Sequence, residues 1–428
     1  VNGEETTSAH TLSRRALLGA SLGALGLGLS GCGWTTRAAE VRLYQSKPEA
    51  IPYFRKLVAR FNDSQDGALK AVHDTASNLS SGFARAAPPD LGLLNYNYEM
   101  ARFQERGELS DLSDIASEAR IAPRFQDLVD QYPTYPGRTS AIPYSVTSAA
   151  TLYNKEIFDK HGLDIPRTHS EFLDVCDTLQ EAGETPICLT SAAAWTIAQG
   201  IVDYSIGGSI DVAHFFERLR NQGDQVTPES EFSFSQVFRE PLKKALTITS
   251  KYANKNADGL KYGDGNVAFA RGKAAMYFQG PWALPDILKL NPEANLGVFP
   301  LPMTENAEDL KVRINLDLAL WIPEKAKNPE AARKLLRYLI TPEVADDYNE
   351  KNLGYSVRDG APAATDPRLV DMQSYVDRAA FYQGVSTAVP KTIPFESYMQ
   401  GLFTGDDLDE TLRTLDGDWQ RLARRQTP

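Results

Sequence analysis

A chain of 428 residues is longer than one ordinary domain, so two lobes are expected. Apolar residues make up 42% and charged residues 24%, the balance of a globular protein rather than a fibrous or disordered one. A net charge of −11 excludes nucleic acid and an anionic membrane surface as main partners, and the scattered His10, His73, His161, His169 and His214 argue against a metal site.

Residues 1–31 read as a targeting segment rather than as structure. Arg14 and Arg15 precede an apolar, glycine-rich run, residues 16–29, which is short of the ~20 residues a membrane-spanning helix needs. Ser13-Arg14-Arg15-Ala16-Leu17-Leu18 resembles a twin-arginine signal, with the general export route as the alternative. Leu29-Ser30-Gly31-Cys32 resembles a bacterial lipobox, so cleavage before Cys32 would leave that cysteine to carry lipid. Arg14 and Arg15 balance Glu4 and Glu5, so the exported part keeps the charge of −11. Residues 32–40 form a short tether.

Residues 41–44 predict the first strand, which ends at Tyr44 and the polar Gln45-Ser46-Lys47. Residues 51–62 have helical spacing, with Phe54, Leu57, Val58 and Phe61 on one face. Residues 69–72 and 90–94 predict two more strands, the latter opening into Asn95-Tyr96-Asn97-Tyr98. Alternating strands and helices predict an α/β fold with a mostly parallel sheet. Polar and aromatic residues just past the strand ends would share one sheet edge. Tyr44, Gln45, Asn95, Tyr96 and Asn97 are therefore candidate ligand contacts, because amides both donate to and accept from hydroxyls. Asn95 and Asn97 suit loop turns equally well.

Residues 171–181 read as a helix and 186–190 as a strand, with Trp195 just beyond it. Cys176 and Cys188, on that helix and strand, are either disulfide-bonded or two separately buried thiols. Residues 211–257 read as helical with one buried face. The run from Asn254 partly matches a calcium loop, but its twelfth position is Gly265 where a glutamate is needed, so no metal is expected.

The stretch 263–282 organises the rest. Asn266 is placed to cap a short helix and Gly272 to end it. Residues 274–278 form an apolar run of strand length, Gly280 turns the chain, and Pro281 suits the first position of a new helix. Trp282 then stands at a strand-to-helix corner, where open α/β sheets place their ligands. Its indole is either a flat platform for an apolar ligand face or a core residue. Further on, residues 296–302 and 315–322 predict strands. Asp317, in the second of these, is a candidate hydrogen-bond partner for ligand hydroxyls. Tyr355, Phe395 and Tyr398 are candidate lip aromatics. No catalytic motif survives inspection. Gly19-Ala20-Ser21-Leu22-Gly23 matches a hydrolase elbow but lies in the targeting segment, and Gly263 to Ala268 matches a dinucleotide pattern without a preceding strand. No cofactor and no catalytic residue are expected.

The run G-K-A-A-M-x-x-x-G-P-W at residues 272–282 resembles the corresponding stretch of the extracellular solute-binding proteins of the maltose-binding type, which feed sugar ABC importers. Gly107-Glu108-Leu109-Ser110-Asp111-Leu112 resembles that family's G-x-L-x-D-L turn, and residues 151–158 resemble its L-x-Y-N-K-x-x-F signature. Residues 329–343 resemble its helix pair. The resemblance implies a two-lobed periplasmic-binding-protein fold with discontinuous lobes and a ligand cleft between them. Lobe one would hold residues 41–145 and 305–348, and lobe two residues 146–304 and 349–428. It implies a sugar stacked on Trp282, with Trp195 as a second aromatic. It further implies a monomer without enzymatic activity, lipid-anchored at the extracellular face of the cytoplasmic membrane and partnered by permease subunits. The rivals are a secreted glycoside hydrolase, which needs two facing carboxylates, and the same fold binding a non-sugar solute.

Overall fold

The computed structural model describes residues 38–426; the targeting segment and Cys32 lie outside them. Among the described residues ten strands are formed: β1 (Ala39–Tyr44), β2 (Leu69–Asp74), β3 (Leu91–Leu94), β4 (Ile142–Asn154), β5 (Ile187–Cys188), β6 (Met276–Gln279), β7 (Leu296–Phe299), β8 (Val312–Trp321), β9 (Tyr355–Ser356) and β10 (Phe381–Gln383). Their order is β2-β1-β3-β8-β4-β6-β5, with β7 and β9 also on β4 and β10 on β8. Helices pack on these strands, giving the two-lobed α/β fold. Among the described residues no helix is long and apolar enough to cross a membrane.

The expectation of a mostly parallel sheet is corrected. β1 runs parallel to β2 and β3, β5 to β6, and β10 to β8, but β8 is antiparallel to β3, and β4 is antiparallel to β6, β7, β8 and β9. The reason is β4, a strand of 13 residues that serves both halves of the molecule. Its residues 142–149 pair with β8, and 151–154 pair with β6 and β7. A strand that carries the chain from one half to the other meets its neighbours running the opposite way.

This β4–β8 ribbon also sorts side chains between two faces. Thr147 lies opposite Asn315 and Ser148 opposite Ile314. Directly paired residues share a face and successive ones alternate. Thr147 and Asn315 therefore point to one side, and Ser148 and Ile314 to the other, while Asp317 lies at a register shift where β8 carries one extra residue. The Ser148 hydroxyl meets the Tyr355 hydroxyl at 3.1 Å on that second side.

Local sequence explains the flanking elements. Helix Ile51–Asp63 begins with Pro52 in its first turn and buries Phe54, Leu57, Val58 and Phe61, as its spacing predicts. Helix His169–Glu181 starts at a capping box, in which Thr168 accepts from the Glu171 amide while the Glu171 carboxylate accepts from the Thr168 amide. The helical run expected over 211–257 is broken into Val212–Gln222, Phe234–Val237 and Arg239–Tyr252. Gly92 of β3 faces the fully buried Trp321 of β8, where a Cβ would come within 1.9 Å of the indole. Only glycine allows that strand pair to close. Cys176 and Cys188 are buried and unbonded, and burial pushes the Cys188 thiol up to about 12.

Candidate functional site

β6 ends at the buried Gln279, after which Gly280 is extended and Pro281–Ala283 form one tight turn leading into helix Leu284–Leu290. The corner expected at Trp282 is thus present. The indole folds back over Gly280 so closely that a Cβ there would lie 2.2 Å from the ring. Its Nε1 donates to Gln279 Oε1 at 3.1 Å. The ring is partly buried and packs against the buried clusters of both halves. Trp195, in helix Ala194–Ile197, is also partly buried. The helix preceding the corner runs from Tyr262 to Ala270, so Asn266 lies inside it and does not cap it; its side chain is buried and donates to Asp286. Gly272, at φ +65°, does turn the chain after that helix.

Tyr262 links the two tryptophans. Its hydroxyl donates to the Trp282 carbonyl at 3.2 Å, and its ring lies 4.9 Å from the Trp195 ring at 55°. Burial raises the pKa of this phenol, and the nearby Asp286 and Glu49 carboxylates add to the effect. Glu49 precedes helix Ile51–Asp63.

The facing wall is polar. The Lys47 ammonium is ion-paired to Asp317 and stands 3.2 Å from Glu49. Burial alone would lower the Lys47 pKa, but Asp317 and Glu49 outweigh it and hold the value above the ordinary lysine range. Asn95 reaches the same Asp317 oxygen at 3.5 Å. Next to this group a cavity of about 240 Å³ is lined by Asn95, Asn97, Gln199, Asn315, Lys391 and Glu396, side chains from both halves. Gln199 lies in the π-helical segment Ala198–Val202 that follows the short helix holding Trp195.

The structure links Trp282 and Trp195 through Tyr262, and Asn95 and Asp317 through a hydrogen bond beside the cavity. It places the other candidates differently. Asn97 caps helix Tyr98–Glu105, accepting from the Met100 amide, although it also edges the cavity. Tyr96 is 2% exposed and gives its hydroxyl to Gln104. Tyr44 is buried, with its hydroxyl 3.2 Å from Ser46, and Gln45 is completely enclosed. Tyr355 is corrected from a lip residue to a buried one. Its hydroxyl donates to the Leu369 carbonyl on the Ser148 face of the ribbon, beside a second cavity of about 550 Å³. Phe395 is likewise buried, and Tyr398 is held by Asp418. Sequence reasoning missed Tyr262, Lys47, Glu49 and Gln199. Lys47 carried the signal already used for Gln45, a polar residue just past a strand end.

The family model for the bacterial extracellular solute-binding proteins matches residues 45–346. The chain belongs to this family. Among its relatives is the multiple sugar-binding protein of Streptococcus mutans, 25% identical over 331 residues, spanning 76% of this chain and 74% of the relative. Another is the melibiose/raffinose/stachyose-binding protein MelE of Bacillus subtilis, 21% identical over 262 residues, spanning 60% of this chain and 59% of MelE. The fold is that of the apo form of RafE from Streptococcus pneumoniae, with a TM-score of 0.76 at 19% identity, over 91% of this chain and 99% of RafE.

Proposed function

We propose that this solute-binding protein captures a sugar or oligosaccharide outside the cell and delivers it to the permease subunits of an ABC importer. Two observations support the proposal: a partly buried indole held on a strand-to-helix corner, Trp282, and a polar group made of Lys47, Asp317 and Asn95 beside a cavity. A sugar has the matching halves, with C–H faces for an aromatic ring and hydroxyls for amides and charges. The sugar-binding names of the relatives support the same reading. The two lobes are proposed to comprise residues 41–145 with 305–348 and residues 146–304 with 349–428, closing about the β4–β8 ribbon as a monomer. The protein is proposed to bind its ligand without catalysis, with Lys47 joining Asp317 and Glu49 into one polar unit.

Melting curves against a carbohydrate panel test this reading. A ligand at 100 times its Kd is expected to add about 2.7 kcal/mol of stability. Chromatography of the same mixtures should show the sugars unchanged; released products would favour a hydrolase. A panel without any shift, alongside a shift with an amine or a metal salt, would replace sugar by another solute.

Cys32 is proposed to carry a lipid that holds the protein at the extracellular face of the cytoplasmic membrane, on the strength of Leu29-Ser30-Gly31-Cys32. Mass spectrometry of the membrane fraction is expected to find a mature N-terminus at a diacylated Cys32. A mature terminus elsewhere would overturn the anchor and leave the sugar reading intact.

A further inference from the structure

Two carboxylates border the polar cavity of about 240 Å³, and neither is in an ion pair among the described residues. Glu99, in the first turn of helix Tyr98–Glu105, accepts from the Lys391 amide at 3.2 Å through one oxygen. Glu396, in the first turn of helix Phe395–Thr404, accepts from the Gln199 side chain at 3.5 Å, again through one oxygen. Lys391 also borders the cavity, yet its ammonium forms an ion pair with neither glutamate. The first turn of a helix favours a carboxylate. That does not explain why two helices, one from each proposed lobe, bring theirs to one small cavity.

The floor adds a third acceptor. Asn315 of β8 borders the same cavity, and its carboxamide oxygen is shielded from solvent without a hydrogen-bond partner among the described residues. Thr147 lies directly opposite on β4, on the same face of the ribbon. It is only 7% exposed, and its hydroxyl is likewise unpartnered. Leaving a buried polar atom without a partner is costly, so these groups mark a place where a ligand supplies donors.

The acceptors and their charge define the group that fits. A sugar hydroxyl brings one donor and no charge, and it leaves both carboxylates unneutralised. A protonated amine brings three donors, no acceptor and the opposite charge. Placed between the two glutamates, it turns a repulsion between the walls into an attraction. An acidic saccharide would add a third negative charge.

We infer that this cavity is an ammonium-binding subsite formed by Glu99, Glu396 and Asn315, and that it selects an amino sugar with a free amine over the neutral and N-acetylated forms. This rests on the carbohydrate reading above.

The test is calorimetric titration of the full chain, of Glu99→Gln, of Glu396→Gln and of the double variant, with a melting curve for each. Glutamine keeps an acceptor for the Lys391 amide and for Gln199, so these variants remove charge while those bonds can remain. The probes are glucosamine, galactosamine and the glucosamine disaccharide, each beside its N-acetylated form, with glucose and galactose as neutral parents. The buffer is acidic enough to keep the amines protonated. The unmodified protein is expected to bind at least one amino sugar about tenfold or more tighter than its N-acetylated form. Each single variant should cut that preference to about threefold or less, and the double variant should abolish it without a lower melting temperature. A neutral or N-acetylated sugar bound as tightly as the amine overturns the inference and leaves the carbohydrate reading standing. A preference that survives intact in the double variant overturns the assignment to these glutamates. Failure of every sugar, here and in the wider carbohydrate panel, would instead remove the carbohydrate reading, and this inference with it.

Discussion

Trp282→Ala is expected to weaken carbohydrate binding by about 1–3 kcal/mol, roughly 5- to 150-fold in Kd. The indole is the largest flat surface at the strand-to-helix corner, and it is fixed before any ligand arrives by Gln279 and by the close fit over Gly280. A ring already in place loses little freedom on binding, so its removal should appear mainly in affinity. An enclosed tryptophan would cost about 3–5 kcal/mol of stability on truncation. Trp282 should cost less, because it is only partly buried, although Gln279 then loses a hydrogen-bond partner. Phe or Tyr at this position keeps a flat face but cannot donate to Gln279, so both should retain part of the affinity; Leu should not. Calorimetry of the four variants beside their urea-unfolding curves decides the matter. A Trp282→Ala protein that is strongly destabilised yet binds normally would return the residue to the core and leave Trp195 as the leading platform.

Asp203→Ala is expected to destabilise the fold by about 3–5 kcal/mol. Asp203 and Arg313 form an ion pair at 2.7 Å with both side chains wholly buried. The same carboxylate accepts from the Ser386 amide at 2.9 Å and from its hydroxyl at 2.7 Å. It thereby ties β8 to helix Asp203–Gly207 and to the segment after β10 that lines the cleft cavity. Removing the carboxylate strands a guanidinium in the interior, far from water. Replacing both partners, as in Asp203→Leu with Arg313→Met, should recover much of the loss, since a buried pair often contributes little net stability over apolar residues of similar volume. Urea unfolding measures each variant. A loss below about 1 kcal/mol in Asp203→Ala would mean that water reaches the site and that the pair is not the bolt described here.

What could be read from the sequence follows from the range of the interactions involved. Helix Ile51–Asp63 was visible because its four buried residues repeat at helical spacing. The Trp282 corner was visible because Gly-Pro after an apolar run is local chemistry. The direction of strand pairing was not visible, since β4 and β8 lie far apart in the chain and nothing in either strand's alternation encodes its neighbour's direction. Lys47 and Asp317 are 270 positions apart, so their ion pair could not be inferred from either segment. Tyr355 looked exposed because it follows a glycine in a loop-like stretch, yet β9 pairs with β4 there and the ring is covered. Tyr262 begins a helix with little sidedness of sequence, and only the fold brings it between two tryptophans.

The fit of Trp282 over Gly280 divides the cleft into a part that mutation can tune and a part that it cannot. Any side chain at position 280 would occupy the space of the indole, so the platform admits no gradual variation from beneath. The wall opposite is built on short connections after β1 and β3, where Lys47, Glu49 and Asn95 can change without disturbing a strand. Retargeting this protein to a new ligand, whether by natural drift or by a laboratory library, should therefore proceed through Lys47, Glu49 and Asn95 while residues 279–282 stay as they are.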